Sequence, residues 1–237
     1  ESGKNVYCEK PLALCEEELQ KIEGVLGTHP KGILTIGFNR RFAPFAIKLK
    51  ESFGKLPSPI VIDYRVNAGF LPSNHWTQDP NQGGGRIIGE GCHFIDFCTF
   101  LTSQNPRSVN MKCLPAVGTN PQDSCVITLT YPNGSLATIR YLANGNKNFP
   151  KERIEVFSAG RIGILDDFRT LELVTETQNS TLKARISQNK GHQAAWLSFR
   201  NSISDGKNPP IPYDQLIAVT RASFAAVTSG NTGETVL

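Results

Sequence analysis

The sequence predicts a short α/β segment followed by an α+β domain with a large, mostly antiparallel open sheet. Strand and helix patterns alternate twice within residues 4–53, which is typical of α/β structure. Between residues 107 and 186, short β-type segments follow one another without an intervening helical pattern. With 237 residues, the chain is long enough to bury a sizeable core.

Hydrophobic periodicity defines the elements of the first segment. Leu19, Ile22 and Val25 recur at helical spacing, and Pro44 is tolerated in the first turn of a helix. The predicted elements are strands at 4–8 and 32–38 and helices at 15–27 and 42–53.

The second segment begins with a strand, a loop rich in Gly, Pro and Asn, and a helix. Asn133-Gly134 suits the left-handed dihedrals of a type I′ hairpin turn, and Ala159-Gly160 indicates a second hairpin. The predicted strands are 60–66, 107–117, 124–131, 135–142, 152–158, 162–166, 170–175 and 181–186; the loop is 69–86, and the helices are 87–102, 191–205 and 213–229.

Composition and charge argue against several functional classes. No apolar run approaches the ~20 residues of a membrane helix, and the polar residues Glu1–Asn5 lack the zones of a signal peptide. The net charge of +4 is scattered, whereas nucleic-acid faces cluster basic residues. The six cysteines form no C-x-x-C pair. We therefore expect reduced thiols, a cytoplasmic protein, no metal site, and neither a nucleic-acid nor a membrane partner.

The first motif with chemical potential is Glu9-Lys10-Pro11, which follows a predicted strand. In α/β folds, ligands bind at the carboxyl ends of strands. Pro11 restricts Lys10 to extended geometry and so fixes its direction. On physical grounds alone, a surface lysine in a turn is the favoured explanation, because the motif is short.

The second motif runs from Gly83 to Asp96. His93 lies three residues after Glu90 and three before Asp96, so a helix would present all three on one face. A carboxylate can orient an imidazole and raise its basicity, which suits a general base. The structural alternative is a capped helix with a structural histidine and aspartate.

The glycine triplet Gly83-Gly84-Gly85 is not a dinucleotide-binding fingerprint, because it lacks the G-x-G-x-x-G spacing and no buried strand leads into it. No other stretch supplies that fingerprint. Zinc ligation by Glu90, Cys92 and His93 is disfavoured because adjacent helical residues point in different directions.

Three spaced motifs, namely Glu9-Lys10-Pro11, Gly37–Phe42 and Gly83–Asp96, together resemble the glucose–fructose oxidoreductase / inositol dehydrogenase / MocA (Gfo/Idh/MocA) family in order and separation. The resemblance covers nearly the whole chain. It implies that residues 1–40 are the C-terminal remnant of a dinucleotide-binding Rossmann domain, with most of that domain missing. It also implies that residues 41–237 form an α+β substrate-binding and oligomerisation domain whose last helix packs back on the Rossmann part.

The resemblance implies an NAD- or NADP-dependent oxidoreductase that transfers a hydride between nicotinamide and a hydroxyl carbon of a sugar, polyol or nucleotide-sugar. Lys10 would lie beside the nicotinamide and the substrate hydroxyl, with Pro11 often cis in relatives, and His93 would be the acid/base. We expect the chain alone to be inactive. The predicted cofactor contacts are Glu9, Lys10, Pro11 and Arg40; the predicted substrate contacts are Lys10, Asn74, Trp76, Arg86 and His93.

The sequence departs from the family pattern at one place. Many relatives have an aspartate four residues before the histidine, where this chain has Gly89. Glu90 is the candidate replacement and is included among the predicted catalytic residues. Asp96 is expected to support the helix and His93.

Other candidates are weaker. Asn74 and Trp76 have an equally good interpretation as parts of a packed loop. His192 and Trp196 are interpreted as core or interface, with a pocket role for His192 left open, and His29 as an exposed turn residue.

The competing hypothesis is a non-catalytic sugar-binding or oligomerisation module that kept the fold. Retention of both Lys10 and His93 favours the enzyme, because a scaffold needs neither. In either case we expect a homo-oligomer, a dimer or tetramer, formed through the open sheet.

Overall fold

The structure is a computed structural model that describes residues 2–28, 32–54, 58–115, 122–185 and 187–236. His29 and the outer ends of the strands predicted at 107–117 and 181–186 lie outside these residues. Within the described part, no helix has the length and apolar character needed to span a membrane.

The N-terminal segment is a β–α–β unit followed by a helix. Strands β1 (Val6–Cys8) and β2 (Leu34–Ile36) pair in parallel, and helix α1 (Glu16–Thr28) connects them. A 3₁₀ turn (Asn39–Phe42) leads from β2 into helix α2 (Pro44–Phe53), whose first residue is the proline that the sequence predicted there.

The rest of the chain forms an eight-stranded sheet covered by helices. Its strand order is β10-β9-β8-β7-β3-β6-β5-β4, and every neighbouring pair is antiparallel except β3 and β6. The predicted fold class is therefore confirmed. The bounds are β3 (Val61–Asn67), α3 (Cys92–Thr102), β4 (Ser108–Cys113), β5 (Ser124–Thr130), β6 (Leu136–Leu142), β7 (Glu152–Ser158), β8 (Arg161–Asp166), β9 (Thr170–Val174), β10 (Asn179–Lys183), α4 (His192–Ser204) and α5 (Tyr213–Thr232).

The two faces of the sheet differ, because successive strand residues point to opposite sides. On the inner face, Tyr64 of β3 is fully buried and packs edge-on against Phe94 and Phe97 of α3. The outer face exposes apolar side chains next to ion pairs such as Arg140–Asp63. Its exposed apolar residues are Val61, Val126, Leu136 and Phe157. A homo-oligomer formed through this face stays a prediction.

One turn prediction is wrong in detail. The hairpin at Tyr131–Gly134 joins β5 and β6, but only Gly134 has a positive φ (+83°). Pro132 fixes a negative φ, so Pro132 and Asn133 form an ordinary turn that the glycine completes. The two-residue loop with positive φ at both positions is instead Ala159-Gly160.

The helix predicted at 87–102 has two parts. Ile87–Gly91 forms a π-helical turn, and α3 continues from it without a break. Periodicity alone does not reveal this wider turn. Its consequence is that Glu90 and His93 do not share a face in the way that an ideal α-helix would impose.

The last helix contacts the N-terminal segment. Ile217 of α5 packs with Leu19 of α1, and Arg221 donates to Glu16 at 2.8 Å. The division of the chain at residue 40 remains a prediction.

Gly191 is a position where only glycine fits. It precedes α4 with φ +84°, and an added Cβ would lie 2.5 Å from both the Ala43 nitrogen and the Asn39 carbonyl oxygen. The segment before α4 therefore packs directly on the backbone of the 3₁₀ turn.

We predict that Gly191→Ala lowers the free energy of unfolding by about 2–5 kcal/mol, since it combines left-handed strain with overpacking. Gly206→Ala is the matched control: its φ is +62°, but a Cβ there meets nothing within 4 Å. It should lose only about 1 kcal/mol. Urea unfolding curves measure both, and equal losses would show that the close packing at Gly191 is unimportant.

Candidate active site

A cavity of ≈ 240 Å³ opens where β1 ends, between the π-helical turn, the start of α3 and the segment before α4. Its position at the end of a parallel strand is one where α/β folds bind ligands. It is lined by Lys10, Asn39, Arg40, Leu71, Thr77, Gly85, Arg86, Gly89, Glu90, His93, Lys190 and His192. Lys10 and His93, from distant parts of the sequence, thus share one cavity.

Lys10 follows β1, and its peptide bond to Pro11 is cis. Its Nζ donates a 2.5 Å hydrogen bond to the carbonyl oxygen of Gly89 in the π-helical turn. No carboxylate pairs with this ammonium among the described residues. Two of its three N–H groups are therefore available to a ligand.

Gly89 is held in close packing. A Cβ at Gly89 would lie 2.4 Å from the carbonyl oxygen of Gly83, and a Cβ at Gly83 would lie 2.4 Å from the Cα of Thr77. The loop before the helix thus rests directly on the π-helical turn. This contact places Thr77 and Gly85 on the cavity wall.

His93 lies in the first turn of α3 and is only 8% exposed. Its Nδ1 is buried and has no hydrogen-bond partner among the described residues. Burial, followed by the positive charges of Arg40 and Lys10, holds the pKa of His93 well below its usual value. The imidazole is therefore neutral at physiological pH and can accept a proton.

The predicted acid–His–acid face is wrong. Asp96 accepts from Arg41, with a 3.1 Å bond from Nε to Oδ2 and a second bond from Nη2 to Oδ1. Asp96 lies one turn further along α3, where it faces the 3₁₀ turn rather than the imidazole. It supports the helix by tying it to that turn.

Glu90 lies on the cavity wall, but its carboxylate does not orient His93 either. Its Oε1 accepts from Lys151 at 2.6 Å, and its Oε2 accepts from the Tyr141 hydroxyl at 2.5 Å. Burial alone would raise the pKa of Glu90, but Lys151 and these hydrogen bonds outweigh it, so the net shift is downward. Glu90 is thus an ionised residue of the cavity wall that is held by Lys151 and Tyr141. None of its contacts gives it the role of the aspartate that many relatives have at position 89.

Arg40, a predicted cofactor contact, is held in a buried network. Its Nε and Nη2 donate to the two carboxylate oxygens of Glu152 at 2.8 and 3.0 Å. Lys190 Nζ and the Tyr64 hydroxyl also donate to Glu152, each at 2.5 Å. Arg40 and Lys190 still line the cavity. Sequence analysis missed Glu152 and Lys190, because no local spacing links them to the other motifs.

The remaining predicted contacts divide into two groups. Arg86 is buried on the wall and donates from Nε to the Tyr141 hydroxyl at 2.6 Å. Asn74 and Trp76 are exposed and do not line the cavity, so their role as substrate contacts stays a prediction. The 3₁₀ turn Trp76–Gln78 leaves the indole 57% exposed.

Of the weaker candidates, His192 lines the cavity, as its pocket role would require. Trp196 is not a core residue, because it is 52% exposed and packs on Tyr7 with ring centroids 5.4 Å apart. Glu9 is exposed beside Gly37 and does not line the cavity. Within the described residues, no three His, Cys, Asp or Glu side chains are grouped as metal ligands.

Comparison with known proteins agrees with this architecture. The model of the GFO/IDH/MocA C-terminal domain matches residues 54–161. This match supports the resemblance to the Gfo/Idh/MocA family that the sequence motifs indicate. An uncharacterized oxidoreductase of Bacillus subtilis, YrbE, is 25% identical over 242 residues, which cover 95% of this chain and 69% of that protein. Myo-inositol 2-dehydrogenase of Thermotoga maritima is 27% identical over 185 residues, which cover 74% of this chain and 53% of that enzyme.

Solved structures of oxidoreductases share the fold. The aldose-aldose oxidoreductase of Caulobacter crescentus, complexed with glycerol, superposes with a TM-score of 0.81 at 19% identity, covering 99% of this chain and 72% of that one. An oxidoreductase of Agrobacterium radiobacter, in complex with NAD+, L-tartaric acid and magnesium, gives 0.79 at 16% identity, with 98% and 72% covered.

The Glu152 network gives a prediction for stability. Burial would raise the pKa of Glu152, but Arg40 and Lys190 lower it strongly. The ionised Glu152 carboxylate therefore stabilises the folded protein fully at pH values above the glutamate pKa of the unfolded chain, about 4.3. This stabilisation is lost progressively as pH falls below that value. Glu152→Gln should destabilise the protein by about 3–5 kcal/mol at pH 7, because it leaves buried cations unpaired.

The difference from the wild type should begin to shrink as pH falls below about 4.3, because the unfolded wild type then binds a proton at Glu152 while the folded protein keeps the carboxylate charged, and it should continue to shrink at lower pH. Glu155→Gln is the control, since Glu155 pairs with Arg153 on the outer face at 2.8 Å. It should change stability by at most about 1 kcal/mol. Guanidinium unfolding at several pH values measures the free energy of unfolding of each protein. A difference between Glu152→Gln and the wild type that does not change with pH would contradict the stabilising role of the Glu152 charge.

Proposed function

We propose that this chain carries the substrate site of an NAD- or NADP-dependent oxidoreductase. The enzyme transfers a hydride between nicotinamide and a hydroxyl carbon of a sugar, polyol or nucleotide-sugar. The observation that carries the proposal is that Lys10 and a neutral His93 line one cavity. The match to the GFO/IDH/MocA C-terminal domain and the sugar and polyol oxidoreductases among the similar proteins support it.

The residues present fit the nicotinamide end of such a cofactor. The cavity lies at the end of a parallel strand, and the glycines on its rim have no Cβ to hinder a flat ring. Lys10 would lie beside that ring. The described residues contain no pyrophosphate-binding glycine motif, so the rest of a dinucleotide would be held by other sequence. When bound, the cofactor supplies the hydride acceptor or donor.

The protein's own part of the reaction is proton transfer and charge stabilisation. His93 is held neutral by burial and by the neighbouring cations, so its imidazole accepts the hydroxyl proton of the alcohol. The Lys10 ammonium is fixed by the Gly89 carbonyl and stabilises the developing alkoxide electrostatically. In the reverse direction, the imidazolium returns the proton.

Single substitutions test these roles in the full-length protein. Lys10→Met and His93→Asn should each lower kcat by about 10²–10⁴, because each removes one group that acts on the reacting hydroxyl. NADH or NADPH formation, followed at 340 nm with a panel of sugars and polyols, measures the effect. Lys183→Met on the exposed edge strand β10 is the control and should retain full activity.

Both variants should unfold at nearly the wild-type temperature. Near-normal turnover in both would falsify the catalytic assignment. Binding of sugars without any reduction of NAD+ or NADP+ by the wild type would favour the non-catalytic module.

The pH profile provides a second test. The pKa of His93 is lowered, so the base form persists at pH values where an ordinary histidine, with a pKa of about 6.5, would be half protonated. The kcat/KM for alcohol oxidation should therefore show no loss of a basic group near pH 6.5, and the fall should come at lower pH. A profile that halves at about pH 6.5 and is abolished in His93→Asn would contradict the lowered pKa.

A further inference from the structure

The charge around the cavity is unbalanced. Four cationic side chains line it, namely Lys10, Arg40, Arg86 and Lys190. Lys151, whose side chain is 38% exposed, adds a fifth through its ion pair with Glu90.

Only two carboxylates oppose these five cations among the described residues. Glu152 is shared by Arg40 and Lys190, and Glu90 is shared by Arg86 and Lys151. Lys10 has only a carbonyl partner.

The charges in the next layer do not change this balance. Asp96 is paired with Arg41, and Asp167 lies 3.6 Å from Arg169, so each of these pairs is neutral. The described surroundings of the cavity therefore hold three uncompensated positive charges. The pKa of His93 is lowered first by burial and then by the positive charges of Arg40 and Lys10 in this field.

The proposed reaction accounts for only one of these charges. Removing a proton from a neutral alcohol develops a single negative charge, which Lys10 stabilises. An oxidised nicotinamide ring is itself cationic, so it does not neutralise the remainder. Positive charge is costly to hold in a partly buried site unless it is paired, which indicates that a ligand supplies the missing anion.

Lys190 is the residue best placed to meet that anion. Its side chain is 16% exposed and lines the cavity. Its Nζ donates one of its three N–H groups to Glu152, so the other two are available to a ligand. The neighbouring segment is fixed, because Asn39 donates to the Lys190 carbonyl at 2.7 Å. The ammonium is thus positioned independently of any ligand.

We propose that the substrate is an anionic monosaccharide, a sugar acid or sugar phosphate, whose charged group binds at Lys190 while its reacting hydroxyl meets Lys10 and His93. This inference rests on the proposed function and specifies its substrate class. The cavity of ≈ 240 Å³ favours a single sugar unit, because it lies below the range of about 300–1,000 Å³ that is usual for larger ligands. A neutral polyol would fill the same space and leave the cations unpaired.

Calorimetric titration of the full-length protein with matched sugars tests the proposal. The acidic probes are D-glucuronate, D-galacturonate and D-glucose 6-phosphate, and the neutral probes are D-glucose and D-galactose. At least one acidic probe should bind tenfold or more tightly than its neutral counterpart, and added KCl should reduce that advantage. The carboxylate and phosphate arms show which anion is preferred. Equal or weaker binding of every acidic probe, or binding of neither class, overturns the inference.

Variants at position 190 locate the anion. Lys190→Met should weaken binding of the preferred acid at least tenfold more than it weakens binding of the neutral sugar, whereas Lys190→Arg should retain most of the affinity for the acid. Lys183→Met is the control for loss of a lysine elsewhere. An unchanged affinity for the acid in Lys190→Met, in a variant with wild-type thermal stability, contradicts the placement. If Lys190→Met does not fold, Lys190→Gln replaces it, and an unchanged affinity for the acid in that variant contradicts the placement.

Turnover separates this inference from the proposed function. Tight binding of an acid without reduction of NAD+ or NADP+ would refute the oxidoreductase and support the anion site. Reduction of the cofactor by neutral sugars alone would refute the anion site and support the oxidoreductase.

Discussion

The buried carboxylate of Glu152 is the interaction on which the site depends. It is fully inaccessible and accepts from Arg40, Lys190 and Tyr64, which belong to the 3₁₀ turn, the segment before α4 and the central strand β3. One anion thus joins three parts of the chain that are distant in sequence. A buried charge of this kind is stable only when its partners are all in place, so the network also enforces their mutual position.

The network extends to the catalytic candidates through packing and charge. The Arg40 guanidinium lies 5.0 Å from the ring of Phe94, the residue after His93. Phe38, at the end of the strand that leads to Arg40, contacts the His93 ring edge-on with centroids 5.8 Å apart. The same cation that pairs with Glu152 therefore helps to place the imidazole and to keep it unprotonated.

Elements set by local sequence could be predicted, and those set by tertiary contacts could not. Apolar spacing identified α1 and α5, and short β-type runs identified the strands, because periodicity reports which face is buried. The type I′ geometry predicted for Asn133-Gly134 was wrong because the preceding proline, Pro132, imposes its own dihedral angle. The exposure of Trp76 could not be predicted, because aromatic character does not show which way a loop residue points.

The candidate site shows the same division. The motifs at Lys10 and His93 were recognisable as sequence patterns, and the fold brings them to one cavity. The acid–His–acid face was inferred from ideal helical spacing, and the π-helical turn and Arg41 remove its basis. Glu152 and Lys190 are 38 residues apart and come together only through the sheet and the packing of α4, so no spacing rule could find them.

The contact between Gly83 and Gly89 limits which residues position 89 can hold. A Cβ at position 89 would lie 2.4 Å from the Gly83 carbonyl oxygen, so an aspartate fits there only if the loop withdraws. The loop rests in turn on the backbone of Thr77, which would have to move with it. With the loop in this place, the Gly89 carbonyl oxygen is the partner of Lys10, and a carboxylate side chain at position 89 has no room.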